Sequence, residues 1–330
     1  MRIDSSAPTR IDLAGGTYDI WPLYLFHDRA QTINIAISLR ARCTLTSRRD
    51  YKVVLISDDT GETVEAADPA SLPTDQLPLI SRLVRHFGAR GVDVRTRAES
   101  PVGAGIAGSS AMNIALIGAL AAWTGRPMSD EEILTTAMNI EAQVIHVPTG
   151  VQDYRPAYYG GISAVELAVD GVRRVSLEVD PDDLERRLVL AYTGASRNSG
   201  INNWDVMTRR INGDPGVTSA FNAIRDATIS MREALEAHDW PSVSTLLASE
   251  WQARKQLAPG VTNRDIDNLL ERARFAGALA GKVCGAGGGG CLVCLVDPDR
   301  KADVEASLAA GGAQVLPFTI EREGLIVTKS

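Results

Sequence analysis

Residues 109–123, SSAMNIALIGALAAW, contain no charged side chain and carry apolar residues at helical spacing on most sides. A helix of that kind has no face to give to water, so it must be covered all round and lie at the centre of its domain. The segment before it, PVGAGIAG, places Gly103, Gly105 and Gly108 within eight residues, so a flexible loop feeds directly into a buried helix. Backbone N–H groups at a helix N-terminus, with the partial positive charge of the helix dipole, suit an anion. Glycines let the backbone approach a triphosphate closely, and Ser109 or Ser110 can cap the helix, bind phosphate or take a magnesium ion. The loop has no Walker lysine, and it is not a GxGxxG turn followed by an acidic residue about 20 positions on. On its own it is equally a turn that caps a core helix.

Around this helix the chain reads as α+β rather than as a doubly wound sheet, because strands cluster at the start instead of alternating with helices. APTRIDLAGG, QTINIAISLRARCTLTSR and YKVVLISD read as strands, and QLPLISRLVRHFG as a helix ending at Gly88. GVDVRTRAES is a strand leading into the loop. Ser129 and Glu132 form a capping box for a helix running toward Ile145. GVQDYRPAYYGGISAVEL reads as a loop and turn entering a strand, and RRLVLAYTG as a strand ending at Gly194. Residues 202–255 are mostly helical, and NRDIDNLLERARFAG and ADVEASLAAGG are further helices. CLVCLV, AQVLPFTI and GLIVTKS read as strands. The best boundary falls within DGVRRVSLEVDPDDLERR, dividing the chain into residues 1–180 and 181–330.

A length of 330 residues with 45% hydrophobic and 23% charged side chains suffices for one large or two medium domains. Lys plus Arg number 34 against 41 Asp plus Glu, a net charge of −7, which argues against a general nucleic-acid or anionic-membrane binder. A small anion held by a few local groups is compatible with that balance. No stretch approaches the ~20 apolar residues that span a bilayer, and the N-terminus lacks a signal-peptide core, so the reading is of a soluble cytoplasmic protein. The four cysteines give no disulfide framework. Cys284, Cys291 and Cys294 lie close together, but strand alternation puts Cys291 and Cys294 on opposite faces, where they read as small core residues rather than metal ligands.

Three glycine-bearing segments occur in order: APTRIDLAGGTYD, PVGAGIAGSSA and KVCGAGGGG. Together they resemble the three motifs of the GHMP kinases, and they span the chain from Ala7 to Gly290. GVQDYRPAYYGG and LAYTGASRNS are similar to segments of the sugar 1-kinase branch, which holds heptose 7-phosphate kinases, fucokinases and uronic-acid kinases. The resemblance implies a two-domain fold, an N-terminal ribosomal-protein-S5-like domain and a C-terminal ferredoxin-like α/β domain. It also implies ATP and Mg2+ as cofactors.

By resemblance, Pro101, Gly103, Ala104, Gly105, Ile106, Ala107, Gly108, Ser109 and Ser110 wrap the ATP phosphates, and Ser110 with Glu141 binds magnesium. Asp153 is the catalytic carboxylate and Arg10 its cation, which also offsets charge on the phosphoryl group. Asp19 fits the position that hydrogen-bonds sugar hydroxyls. Gly16, Thr17, Tyr159, Arg197, Gly287 and Gly288 complete the implied substrate site, Arg197 toward a polar or anionic end. The chain has Gly105-Ile106-Ala107 where the family has G-L-G, which requires Ala107 to take a negative φ. Trp21 and Tyr24 either stack on a sugar face or pack in the core.

The activity implied is phosphorylation of a sugar at its anomeric hydroxyl, with heptose 7-phosphate first and an unphosphorylated hexose or uronic acid second. A non-catalytic sugar or nucleotide sensor and a mevalonate-type decarboxylase are the competing readings. The expected partners are small molecules only, without nucleic acid or membrane, for a monomer or homodimer.

Overall fold

The computed structural model of the chain describes residues 1–195 and 199–330, with no side-chain description at 199–202. The first half runs β1 (Arg2–Ala14), β2 (Ala30–Ser47), β3 (Val53–Ser57), β4 (Thr63–Ala66), α1 (Pro78–Phe87), β5 (Val92–Ala98), α2 (Gly108–Thr124), α3 (Asp130–Ile145), α4 (Tyr154–Tyr159), β6 (Ile162–Ala168) and β7 (Gly171–Ser176). The second runs α5 (Pro181–Arg186), β8 (Leu188–Tyr192), α6 (Ser199–Ile211), α7 (Pro215–Glu236), α8 (Trp240–Lys255), α9 (Arg264–Ala276), β9 (Ala278–Val283), β10 (Cys291–Val296), α10 (Lys301–Ala310), β11 (Gln314–Val315) and β12 (Ile326–Lys329).

Two sheets organise these elements. In the larger, β2 is the spine: it pairs with β1 along its length, with β5 through Ala41–Ser47 and with β6 through Ala30–Ile35. The smaller sheet has the order β11-β8-β10-β9 and is antiparallel. The strand expected at the C-terminus returns to the first sheet, where β12 pairs antiparallel with β1. The chain thus re-enters its N-terminal sheet after building the second, which a single cut after residue 180 does not describe.

Helix α2 is buried continuously from Ser110 to Leu120, packed among α1, α3 and the β1–β2–β5 face, as its uncharged sequence requires. Its companion α3 starts as expected: Glu132 Oε2 accepts from Ser129 N at 2.7 Å and Ser129 Oγ from Glu132 N at 3.4 Å. Strand β10 is buried on both faces. Leu292, Cys294 and Val296 join the core shared with α9 and α10, while Cys291, Val293 and Leu295 join the core against β1, β2 and α7. The two cysteines therefore sit on opposite faces, and burial pushes the Cys294 thiol up to about 12. No cluster of metal-ligating residues occurs among the described residues. Nor is any described helix long and apolar enough to cross a membrane.

Strand β4 and helix α5 are not expected from the sequence, the strand read at 313–320 shortens to Gln314–Val315, and three further elements depart from expectation. Residues 154–159, read as loop, form α4: Pro156 lies in its first turn, where the missing N–H has no helical acceptor to lose. Strand β7, polar and at a sheet edge, falls where the interdomain boundary is expected. Strand β9 lies in a segment read as glycine-rich connection.

Candidate active site

The three glycine-bearing segments converge on one open cleft of about 410 Å³. The first contributes Arg10, Thr17 and Asp19, the second Pro101–Gly105 and Ala107–Ser110, and the third Gly285 and Ala286. Contacts between backbones hold them together. Arg10 N donates to Ile106 O at 3.0 Å, and Cys291 N donates to Ala104 O at 2.7 Å. A Cβ on Gly290 would lie 2.6 Å from Ala104 O, so that crossing admits only glycine.

Ala107 is the N-cap of α2, and its φ is +60°, in the left-handed region rather than at the negative φ expected of an alanine. The backbone pins at Ala104 and Ile106, just before it, fix the loop that enters the helix through this conformation, which costs a Cβ-bearing residue about 1–2 kcal/mol. Ala107→Gly is accordingly expected to raise the unfolding free energy by about 1 kcal/mol in urea denaturation. A loss of stability would show that the loop is held by something other than these pins.

Alternation along β1 places Arg10 and Asp12 on one face. Arg10, 2% exposed, donates to Asp153 Oδ1 through Nη2 at 2.5 Å and Nε at 3.0 Å. Its Nη1 reaches Asp12 Oδ1 at 3.2 Å and Gly105 O at 2.9 Å. One guanidinium thus joins the carboxylate before α4 to the glycine loop. Burial opposes its charge, but Asp153 and Asp12 more than offset this and hold Arg10 protonated.

Asp19 lines the same cleft against the loop that carries Asp153, accepting from Gln152 N at 2.9 Å and Gln152 Nε2 at 3.3 Å. Burial, reinforced by Asp153, pushes its carboxyl up to about 7. The folded value lies above the reference value of 3.8, so the unfolded chain releases this proton first and ionised Asp19 weakens the fold. Asp19→Asn should therefore stabilise the protein by an amount that grows between pH 4 and pH 7 and levels off above, up to about 4 kcal/mol at about 1.36 kcal/mol per unit. Equal gains in urea melts at pH 4 and pH 8 would contradict this.

At the other end, Ser109 Oγ donates to Glu141 Oε1 at 2.6 Å and Ser110 Oγ to Glu141 Oε2 at 2.9 Å. Glu141 is buried at 7% exposure, and burial raises its carboxyl above the usual range despite the hydrogen bond from Ser109. A carboxylate and two hydroxyls at a helix start form a hard-oxygen set. Together with nucleotide phosphates, that set fits magnesium.

Several expected residues lie elsewhere. Ile106 is fully buried in the core and meets the site only through its carbonyl. Tyr159 does not line the cleft: its hydroxyl donates to Asp130 at 3.4 Å and Arg174 covers its ring. Gly287 and Gly288 pack on Val261 and Gly260, leaving Gly285 and Ala286 at the cleft. Gly16 packs on the Arg254 guanidinium beneath the cleft. Trp21 is exposed and Tyr24 buried, and neither lines the cleft. Arg197 lies outside the described residues.

The sequence reading also missed residues that the site brings close. Gln152 and Asn203 line the cleft. Asp12, Glu250, Arg254 and Lys282 lie sealed beneath it. The period-two spacing of Arg10 and Asp12 was a usable signal. Glu250 and Arg254, four apart on a helix, look in sequence like any surface ion pair.

Comparison with known proteins decides the family. Residues 77–161 match the GHMP kinases N terminal domain and residues 231–314 the GHMP kinases C terminal domain. The chain is 30% identical to D-glycero-alpha-D-manno-heptose 7-phosphate kinase of Campylobacter jejuni, across 98% of both proteins. It belongs to the GHMP kinases. A D-glycero-D-manno-heptose 1-phosphate kinase from Bacteroides thetaiotaomicron superposes with a TM-score of 0.79 at 25% identity, covering 99% of each chain. Galactokinase of Lactococcus lactis shares the fold, with a TM-score of 0.76 at 18% identity over 100% of this chain and 95% of that one. The architecture is thus the α+β two-domain GHMP kinase fold, and the protein is an ATP-dependent phosphotransferase acting on an alcohol group.

Proposed function

We propose that this GHMP kinase phosphorylates a sugar phosphate at its anomeric hydroxyl, with D-glycero-D-manno-heptose 7-phosphate as the first candidate. The observation that carries the reading is the Arg10–Asp153 pair, which lines one cleft together with Asp19 and the glycine loop. Similarity to the Campylobacter jejuni heptose 7-phosphate kinase along the whole chain supports the substrate class.

In this reading the backbone from Gly103 to Ser110 cradles the ATP phosphates at the start of α2. Ser110 and Glu141 would hold Mg2+, which supplies charge neutralisation on the phosphates when bound. Asp153 accepts or orients the proton of the attacking hydroxyl, and Arg10 keeps that carboxylate aimed. Asp19 accepts hydrogen bonds from neighbouring sugar hydroxyls. Glu141→Gln is expected to raise the Mg2+ concentration for half-maximal rate by about 10- to 100-fold, as measured by magnesium titration. An unchanged requirement would remove Glu141 from the metal site.

A second reading, an unphosphorylated hexose, is favoured by one feature. Among the described residues Arg10 is the one cation lining the cleft, and Asp153 and Asp12 already engage it. Rates of ADP release with heptose 7-phosphate and with free hexoses, compared at equal concentration, separate the two.

A further inference from the structure

Four ionised side chains lie sealed beneath the cleft floor: Asp12 of β1, Glu250 and Arg254 of α8, and Lys282 of β9. Lys282 Nζ stands between two carboxylates, 3.3 Å from Asp12 Oδ2 and 3.1 Å from Glu250 Oε2. Arg254 donates to Glu250 Oε1 through Nε at 3.0 Å and Nη2 at 2.5 Å. The series therefore runs from the second half of the chain into the first motif.

Both of its ends touch groups that face the cleft. Asp12 Oδ1 accepts from Arg10 Nη1 at 3.2 Å and from Gly285 N at 2.7 Å. Arg254 Nη1 donates to Gly285 O at 3.3 Å and to Thr17 Oγ1 at 3.4 Å. Thr17 has φ +68°, a conformation that a β-branched residue adopts only when its surroundings impose it. A Cβ on Gly16 would lie 2.9 Å from Arg254 Nη2 and 3.0 Å from Asp12 Oδ2, so this turn is pressed directly onto the charged layer.

Sealing four charges is a poor way to gain stability, because apolar side chains of similar volume serve as well or better. What an apolar layer would not supply is the set of directed contacts to Arg10, Thr17 and Gly285. We propose that Lys282 and Arg254 are positioning residues for phosphoryl transfer. Through Asp12 they fix the Arg10 guanidinium against Asp153, and through Thr17 and Gly285 they hold the two turns at the sugar end of the cleft. The inference rests on the roles of Arg10 and Asp153 given above, and it makes the C-terminal half a working part of the catalytic centre.

The test is the paired variant Lys282→Met/Glu250→Gln, which removes the central cation together with the charge facing it and leaves Arg254 an amide acceptor. The expected result is a melting temperature within about 5 °C of wild type, with kcat down about 30- to 100-fold and KM for ATP and heptose 7-phosphate within about threefold. Recovery of kcat along with the melting temperature would overturn the proposal and leave the layer merely structural. Should the pair not fold, Arg254→Lys keeps the charge but loses the fork. A drop in kcat of about tenfold is expected there, and wild-type kcat overturns the proposal. A crystal structure of whichever variant folds gives a reading independent of activity. Arg10 shifted from Asp153, or Thr17 out of its left-handed conformation, is the expected result; both unmoved overturns it. That reading stands even if the wild-type enzyme phosphorylates no sugar, which would count against the proposed reaction instead.

Discussion

Asp153→Asn is expected to lower kcat by about 10²- to 10⁴-fold while the Kd for ATP stays within about twofold. The asparagine has the same shape, and its Oδ1 still accepts from Arg10, which retains Asp12 as its charged partner. What is lost is a carboxylate able to take or orient the hydroxyl proton. Arg10 links Asp153 to Gly105 O of the glycine loop, and the backbone pins at Ala104 and Ile106 do not involve Asp153. Calorimetric titration with a non-hydrolysable ATP analogue and single-turnover kinetics separate the two quantities. Turnover within tenfold of wild type would remove Asp153 from the chemistry, and a parallel loss of ATP affinity would assign it to the nucleotide instead.

Arg10→Met acts on both stability and rate. The side chain is sealed, joins Asp12 to Asp153 and anchors Gly105 O. Its removal leaves a buried carboxylate short of one cation, an error that costs about 3–5 kcal/mol. Lys282 still faces Asp12, which places the loss toward the lower end of that range. The rate should fall by about 10³-fold or more, because Asp153 loses the group that aims it and the glycine loop loses an anchor. Urea denaturation measures the first effect and kcat below the melting transition the second. A variant as stable as wild type would contradict the geometry given for Arg10.

Much of the architecture could be read from local sequence signals. The Ser129–Glu132 capping box, the left-handed Gly88 and the uncharged run after Ser109 each act within a few residues, and α3, α1 and α2 follow them. Alternation alone separated Cys291 from Cys294. The failures have non-local or compensated causes. Pro156 reads as a loop residue until it is placed in the first turn of a short helix, where its defect is harmless. Ala107 takes a left-handed conformation at the point where a loop held by contacts from Arg10 and Cys291 to Ile106 and Ala104 turns into α2, and no window around residue 107 contains either partner. Return of β12 to β1 joins residues more than three hundred positions apart. The same holds for the site. Glycine motifs marked where the cleft would form, but Lys282 and Arg254 meet Asp12, and Glu250 meets Lys282, only through the packing of distant segments.

The central claim is transfer of phosphate from ATP to the anomeric hydroxyl of a sugar phosphate. The most direct measurement is coupled ADP release over a panel of phosphorylated heptoses, free hexoses and uronic acids, followed by phosphorus NMR of the product. The account expects Mg2+-dependent ADP release with heptose 7-phosphate and a new phosphate signal coupled to the anomeric proton. A phosphate on any other carbon would contradict the assigned hydroxyl, and ADP release no faster than in sugar-free controls across the panel would contradict the claim itself.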